Sequence, residues 1–406
     1  MASSLGESSG TIFGGTSPGG EVERPYTDAV SGPLTGLKVL ELAGIGPGPY
    51  ACMLLADLGA DVLRFERGDP DAEATTTFEV LNRSRPSVAI DLKRAAGRDL
   101  VLELCEQADV LIEGFRPGVT ERLGLGPEAV WKRNRRLVYG RMTGYGQAGP
   151  LATRAGHDIN YVAISGALWP LGRVGERPVP PINLVGDFGG GALFLVYGVM
   201  AAVFAAQRGG EGQVVDAAMV DGSASMMAMT HGFLNSGYWI EERGVNLLDT
   251  GAHFYEVYET QDHRYVAVGA LEAKFYGELV RGLGLDVEEL PAQMDRATWP
   301  GMKERFTAIF QSKTRDEWME IFGDGDACVT PVLSPSEASR HPYNTARHVF
   351  SSEGPVQPEP APRFSKTPAE IGSPPRRAGS GTREGLAKWG ISEERQATLR
   401  AAGAFG

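Results

Sequence analysis

Cysteine and histidine are both scarce in this 406-residue chain, and each scarcity removes a class of chemistry. The three cysteines, Cys52, Cys105 and Cys328, are widely scattered and form no CxxC pair. That argues against a disulfide framework and suits a reducing compartment. Six histidines are present, and none has a second His or Cys at ligand spacing, so no metal is expected. Basic residues are outnumbered, 39 Lys and Arg against 51 Asp and Glu, for a net charge of −12. Such a chain is a poor partner for nucleic acid or an anionic membrane. No basic segment followed by an apolar one opens the chain, so no signal peptide is expected. The longest apolar run, Ala192 to Ala206, falls short of the ~20 residues a membrane span needs and reads as a buried helix. The terminal Gly403-Ala404-Phe405-Gly406 is not a peroxisomal address. A cytoplasmic protein with no membrane partner is the expectation.

What is present is the material of a folded enzyme. Hydrophobic residues make up 42% and charged residues 22%, which excludes a disordered chain, and the length suggests two domains. Residues 1–32 are rich in Gly, Ser, Thr and Pro and read as a flexible tail. Gly15 to Gly19 matches a GxSxG hydrolase pattern by letter, but no strand precedes it and no helix follows, so it is rejected. From Leu37 a strand, a glycine-rich turn, a helix from about Tyr50 to Leu58 and a strand at Asp61 to Phe65 form a β-loop-α-β unit. The alternation continues with strands near Ser87, Asp109 and Leu137 and a helix at Ala95 to Gln107. Strands alternating with helices predict a parallel sheet covered on both faces, an α/β, Rossmann-like domain over residues 33–225. Residues 226–250 read as a linker, 251–335 as a smaller α+β domain, and 336–406 as an extended return segment ending in two short helices.

Several residues invite a functional reading. Gly44 and Gly46, with Glu66 some twenty residues on, have the spacing of a dinucleotide fingerprint, yet Pro49 occupies the third glycine position and Arg67 follows the acid. A nicotinamide enzyme is therefore not favoured. Arg64, Arg67, Arg83, Arg85, Lys93, Arg94, Arg116 and Arg122 could form a basic site for an anionic ligand, or simply a solvated surface. His157 precedes Asp158 in Gly156-His157-Asp158-Ile159-Asn160-Tyr161. On its own it reads as a structural histidine or a catalytic one. Asp187 stands two residues before Gly189-Gly190-Gly191 and a long apolar helix. It reads as a helix N-cap, a role that would lower its pKa, and as a carboxylate beside exposed backbone N–H groups.

Six long segments carry a resemblance: GLKVLELAGIGPGP from Gly36, DLGADVLR from Asp57, DVLIEGFRPGVTERLG from Asp109, GHDINY from Gly156, NLVGDFGGG from Asn183 and GQVVDAAMVDG from Gly212. Over about residues 33 to 375 the chain resembles the family III CoA-transferase superfamily, and within it the racemases of 2-methylacyl-CoA thioesters. The superfamily's transferases use the aspartate matching Asp158 as an acyl-accepting nucleophile and usually lack the preceding histidine. The His157-Asp158 pair therefore favours the racemase, with CoA transfer as the alternative. The resemblance implies that His157 and Asp187 are opposed bases acting through an enolate. It implies that Glu272, in Leu271-Glu272-Ala273-Lys274-Phe275, orients His157 from the second subunit of an interlocked homodimer. Arg67, Arg116 and Arg122 match positions near the CoA phosphates or pantetheine, with Ile45, Leu92, Gly114 and Tyr161 as further contacts. No cofactor is expected beyond the CoA of the substrate.

Overall fold

The computed structural model of the chain describes residues 31–73, 79–323, 325–352 and 354–405. The expectations for residues 1–30, including the rejected hydrolase pattern, lie outside the described residues.

Six strands form one parallel sheet: β1 (Lys38–Leu42), β2 (Asp61–Glu66), β3 (Ser87–Ala89), β4 (Val110–Glu113), β5 (Val138–Thr143) and β6 (Val214–Ala218). Their spatial order is β3-β2-β1-β4-β5-β6. Successive side chains point to opposite faces, so both faces must be apolar. Val39, Val62, Val110 and Val138 enter one core, while Leu40, Leu63, Leu111 and Tyr139 enter the other. Helix α1 (Pro47–Asp57) covers the first face, and α2 (Ala95–Cys105) covers the second. Short helices α3 (Val119–Leu123) and α4 (Pro127–Trp131) lead from β4 to β5, and α5 (Asp158–Ile164) follows β5.

Residues Leu184–Leu193 form a π-helix that runs directly into α6 (Phe194–Gln207). Together they make a 24-residue helix, long and apolar enough by length and composition to cross a membrane. A wholly buried helix was the expectation, and the structure corrects it. Leu195, Val199 and Val203 face the core, but Leu193, Tyr197 and Phe204 face outward, Tyr197 with 74% exposure. Helices α7 (Met219–Met226) and α8 (Ala228–Asn235) follow β6, and α8 falls within the stretch that read as a linker.

A second, antiparallel sheet of β7 (Tyr255–Glu259), β8 (Tyr265–Gly269) and β9 (Val329–Pro331) packs against α9 (Ala273–Gly282), α10 (Trp299–Phe310) and α11 (Arg315–Phe322). Short helices α12 (Pro335–Ala338) and α13 (Pro342–Ala346) precede the return segment, and α14 (Thr382–Lys388) and α15 (Glu393–Ala401) close the chain. Leu386, Trp389 and Leu399 join the same core as Leu40 and Tyr139.

Three arginines from the basic first third turn out to be interior. Arg64 pairs with Glu41 across the β1–β2 register, and Arg85 Nε lies 2.9 Å from the other oxygen of Glu41. Arg83 donates to both oxygens of Asp57, at 3.2 and 2.6 Å, and to the Pro358 carbonyl at 2.8 Å. Arg64, Arg83 and Arg85 are therefore neither solvated surface nor an anion site. They neutralise the buried carboxylates of Glu41 on β1 and Asp57 at the end of α1, and Arg83 ties the return segment to α1.

Candidate active site

In an open parallel sheet a ligand binds beyond the carboxyl ends of the strands, where the order reverses. Here that point lies between β1 and β4. Ile45 follows β1 and is 83% exposed; Gly114 and Arg116 follow β4 and are exposed. Arg67 follows β2, and half-buried Leu92 follows β3. Five of the residues singled out from sequence thus share one edge of the sheet. Arg122 lies on α3, exposed, one turn beyond Gly118.

Gly114 does not have a positive φ, and a side chain there would meet nothing closer than the Met142 carbonyl at 3.8 Å. Nothing in the fold demands glycine at this position. Its lack of a side chain leaves the backbone open to close approach by a ligand.

His157 caps α5 with an extended backbone, φ −133°, and its N–H donates to Asn160 Oδ1 at 3.0 Å. The imidazole is exposed. Asp158, the first residue of the helix, turns inward and is 7% exposed. Its Oδ1 accepts the backbone N–H of Asp187 at 2.7 Å, while Oδ2 is buried without a partner. One carboxylate therefore joins the start of α5 to the π-helix and brings His157 and Asp187 to the same place.

Asp187 is not an N-cap. It lies inside the first turn of the π-helix, and the cap position is Asn183. The Asn183 amide donates to Asp187 Oδ2 at 3.2 Å, and that oxygen lies 3.0 Å from where a side chain on Gly46 would begin. Burial pushes the Asp187 carboxyl above its ordinary value; the Asn183 hydrogen bond opposes this, the Asp158 charge adds to it and His157 opposes it. The lowered value expected from capping is thus overturned, because desolvation outweighs hydrogen bonding at this site.

Glycines let the π-helix pack closely on its neighbours. Extended π-helix is rare, and π-bulges cluster at functional sites. Gly186 packs on the Asp158 carboxylate, Gly190 packs on the Ser223 backbone, and a side chain on Gly222 would collide with the Gly190 carbonyl. The glycines let this segment lie flat against α5 and α7, and the widened turn carries Asp187 toward Gly46.

Tyr161 is buried and stacks edge-on to Tyr145, with ring centroids 4.9 Å apart. Its hydroxyl donates to the Gly156 carbonyl. Burial pushes its phenol up to about 12, with the Tyr145, Asp187 and Asp158 charges adding to the effect and Arg116 opposing it. Tyr161 is thus a neutral wall of the site between Arg116 and the two aspartates.

Glu272 lies on a different element. It is exposed and caps α9 in the smaller domain. Among the described residues no hydrogen bond joins it to His157. Sequence reasoning gave no role to Asn183 or Gly186 and weighed Gly46 only for a dinucleotide turn, although Asn183 lies four residues before Asp187, one turn back in helical spacing.

Comparisons with known proteins bear on the family of the chain. A profile of CoA-transferase family III matches residues 34–381. The chain is similar to alpha-methylacyl-CoA racemase of Mus musculus, 46% identical over 365 residues that cover 89% of this chain and 94% of the relative. It is similar to the Homo sapiens protein of the same name at 45% identity, with the same coverage of both chains. Its fold resembles the crystal structure of a CAIB/BAIF family protein from Brucella suis, with TM-score 0.76 and 25% identity over 88% of this chain and all of that one. The sheet order, the open edge at β1 and β4 and these likenesses lead to one assignment: the chain belongs to CoA-transferase family III.

Proposed function

We propose that this protein racemises 2-methylacyl-CoA thioesters by moving the proton on the carbon beside the thioester, with His157 and Asp187 as bases on opposite faces. The observation that carries this is the bond from the Asp187 N–H to Asp158, which gathers two proton-transfer groups thirty residues apart. One base takes the proton, leaving an enolate. The conjugate acid of the other returns a proton from the far side and inverts the centre. Burial raises the Asp187 carboxyl, which strengthens it as a base.

The burial of Asp158 favours racemisation over transfer. A nucleophilic carboxylate must present an oxygen to the thioester carbon. Here one oxygen is held by Asp187 N–H and the other is covered.

Two copies complete the site in this account. The exposed apolar side chains Leu193, Tyr197 and Phe204 of the long helix offer a face for a second subunit. Glu272, exposed and not hydrogen-bonded to His157 among the described residues, would reach the histidine of the partner and orient its ring. CoA enters as part of the substrate, its phosphates near Arg67, Arg116 and Arg122 and its pantetheine near Ile45, Leu92, Gly114 and Tyr161.

The test is isotope incorporation. Optically pure 2-methylacyl-CoA in deuterated water is expected to acquire deuterium at the α-carbon as it loses optical purity. Transfer of CoA to an added carboxylate, with no deuterium in the recovered thioester, would assign Asp158 the nucleophilic role instead.

A further inference from the structure

Beneath the turn that follows β4 lies a buried carboxylate with no part in the chemistry above. Glu113 ends β4, is 3% exposed, and pairs in register with Arg141 of β5. Its Oε2 accepts the Phe115 N–H at 2.7 Å. Its Oε1 lies 3.5 Å from Arg141 Nε, a nitrogen with no hydrogen-bond partner of its own. The rest of the guanidinium reaches outward. Nη1 donates to Gln147 Oε1 at 2.6 Å, Nη2 donates to Glu121, and the Gln147 N–H donates to Asp216 Oδ2 at 2.9 Å. Arg141 thus ties together the turn after β4, helix α3 and the turn after β5. These segments carry Gly114 and Arg116, Arg122, and Gly144, against which the Tyr161 ring packs.

Burying a carboxylate is costly, and an apolar residue would serve a sheet interior better. Burial pushes Glu113 up to about 7, against the pull of the Phe115 hydrogen bond and Arg141, with Glu121 and Asp216 adding to the rise. The position holds a carboxylate despite that cost, and its one hydrogen bond from the main chain comes from the turn at the open edge of the sheet. A ligand lying on Gly114 meets the peptide planes on either side of it, and the Phe115 N–H sets the orientation of one of them.

We propose that Glu113, braced by Arg141, is a positioning residue for the CoA part of the substrate, holding the Gly114–Arg116 turn in its binding shape through the Phe115 N–H. This rests on the acyl-CoA reading given above. Glu113 touches no reacting atom, so its loss weakens binding and leaves the proton transfer largely intact.

Three substitutions and one ligand test it. Glu113→Ala removes the acceptor. Glu113→Asp keeps the charge but withdraws it by one methylene. Glu113→Gln keeps an acceptor oxygen at full reach. CoA binding is measured by titration calorimetry, and KM and kcat are measured with 2-methylacyl-CoA. The Ala and Asp variants are expected to raise both Kd for CoA and KM roughly tenfold, the size of one charge-assisted hydrogen bond, with kcat changed by less than about threefold. The Gln variant is expected to recover most of the loss. If the Ala variant does not fold, the Asp and Gln variants decide alone. Wild-type affinity in the Asp variant, or a fall in kcat at unchanged KM, overturns the positioning role while leaving the acyl-CoA reading standing. Failure of the wild-type protein to bind CoA at all overturns both.

Discussion

The backbone N–H of Asp187 donates to the side chain of Asp158 at 2.7 Å, so the residue matching the transferase nucleophile holds in place the residue we propose as a base. Two substitutions separate these roles. Asp158→Asn keeps an acceptor for that N–H and is expected to retain racemisation within about tenfold, whereas Asp158→Ala loses the acceptor and is expected to fall further, by roughly ten- to a hundredfold. Initial rates of deuterium incorporation report the effect. Equal, complete loss in both variants would point to a covalent role for the carboxylate.

The return segment depends on Arg83. Its guanidinium is buried, doubly bonded to Asp57, and bonded to Gln357 and Pro358. Removing one partner strands the other charge in the interior. Arg83→Ala is expected to destabilise the fold by about 3–5 kcal/mol, read by denaturant unfolding. A loss under about 1 kcal/mol would mean that Asp57 is neutral in the folded protein or reaches water.

Glu113 carries a pH signature in stability. Its folded-state pKa of about 7 lies above the ordinary value of 4.5, so between those values the folded chain binds the proton more tightly than the unfolded one. The stabilisation from protonation builds as pH falls below about 7 and is lost as pH rises through it. Its full size is about 3 kcal/mol. Glu113→Gln is permanently neutral. The melting temperature of this variant relative to wild type is therefore expected to rise from about pH 5 to about pH 8. A difference that stays flat across that range would show that Arg141 fully compensates the buried charge.

Much of this architecture was legible along the chain, for a physical reason. A parallel strand buried on both faces reads as an unbroken apolar run, as in Val110-Leu111-Ile112, and the turns after β1 to β4 carry candidate residues at the carboxyl ends of the strands. What was not legible depends on distant partners. Asp187 resembled a helix cap because three glycines follow it, but it lies inside a π-helix whose Gly186 and Gly190 pack on Asp158 and Ser223, and no local signal encodes those contacts. Arg64, Arg83 and Arg85 looked like surface charge because their carboxylate partners lie some twenty to forty residues back. Strand β7 shows the same effect: Glu256 is buried and Val257 exposed, since Arg173 and Lys303 pair with the glutamate at 2.7 and 2.9 Å.

The apolar face of the long helix is the surface we propose for a second subunit. Tyr197→Glu places a charge where Leu193, Tyr197 and Phe204 face outward. It is expected to shift the protein from dimer to monomer in sedimentation velocity and to abolish racemisation by separating Glu272 from the partner histidine, with the monomer still folded by circular dichroism. Full activity in a monomeric variant would place the orienting group of His157 within its own chain.

The two-base account is tested most directly by following each enantiomer separately in His157→Ala and Asp187→Asn in deuterated water. Each variant lacks one base, so each is expected to exchange the α-proton of only one enantiomer, with retention, and the two variants are expected to choose opposite enantiomers. Inversion is expected to fall by at least ~10² in both. Exchange of the same enantiomer by both variants, or racemisation surviving in either, would contradict the assignment of His157 and Asp187 as opposed bases.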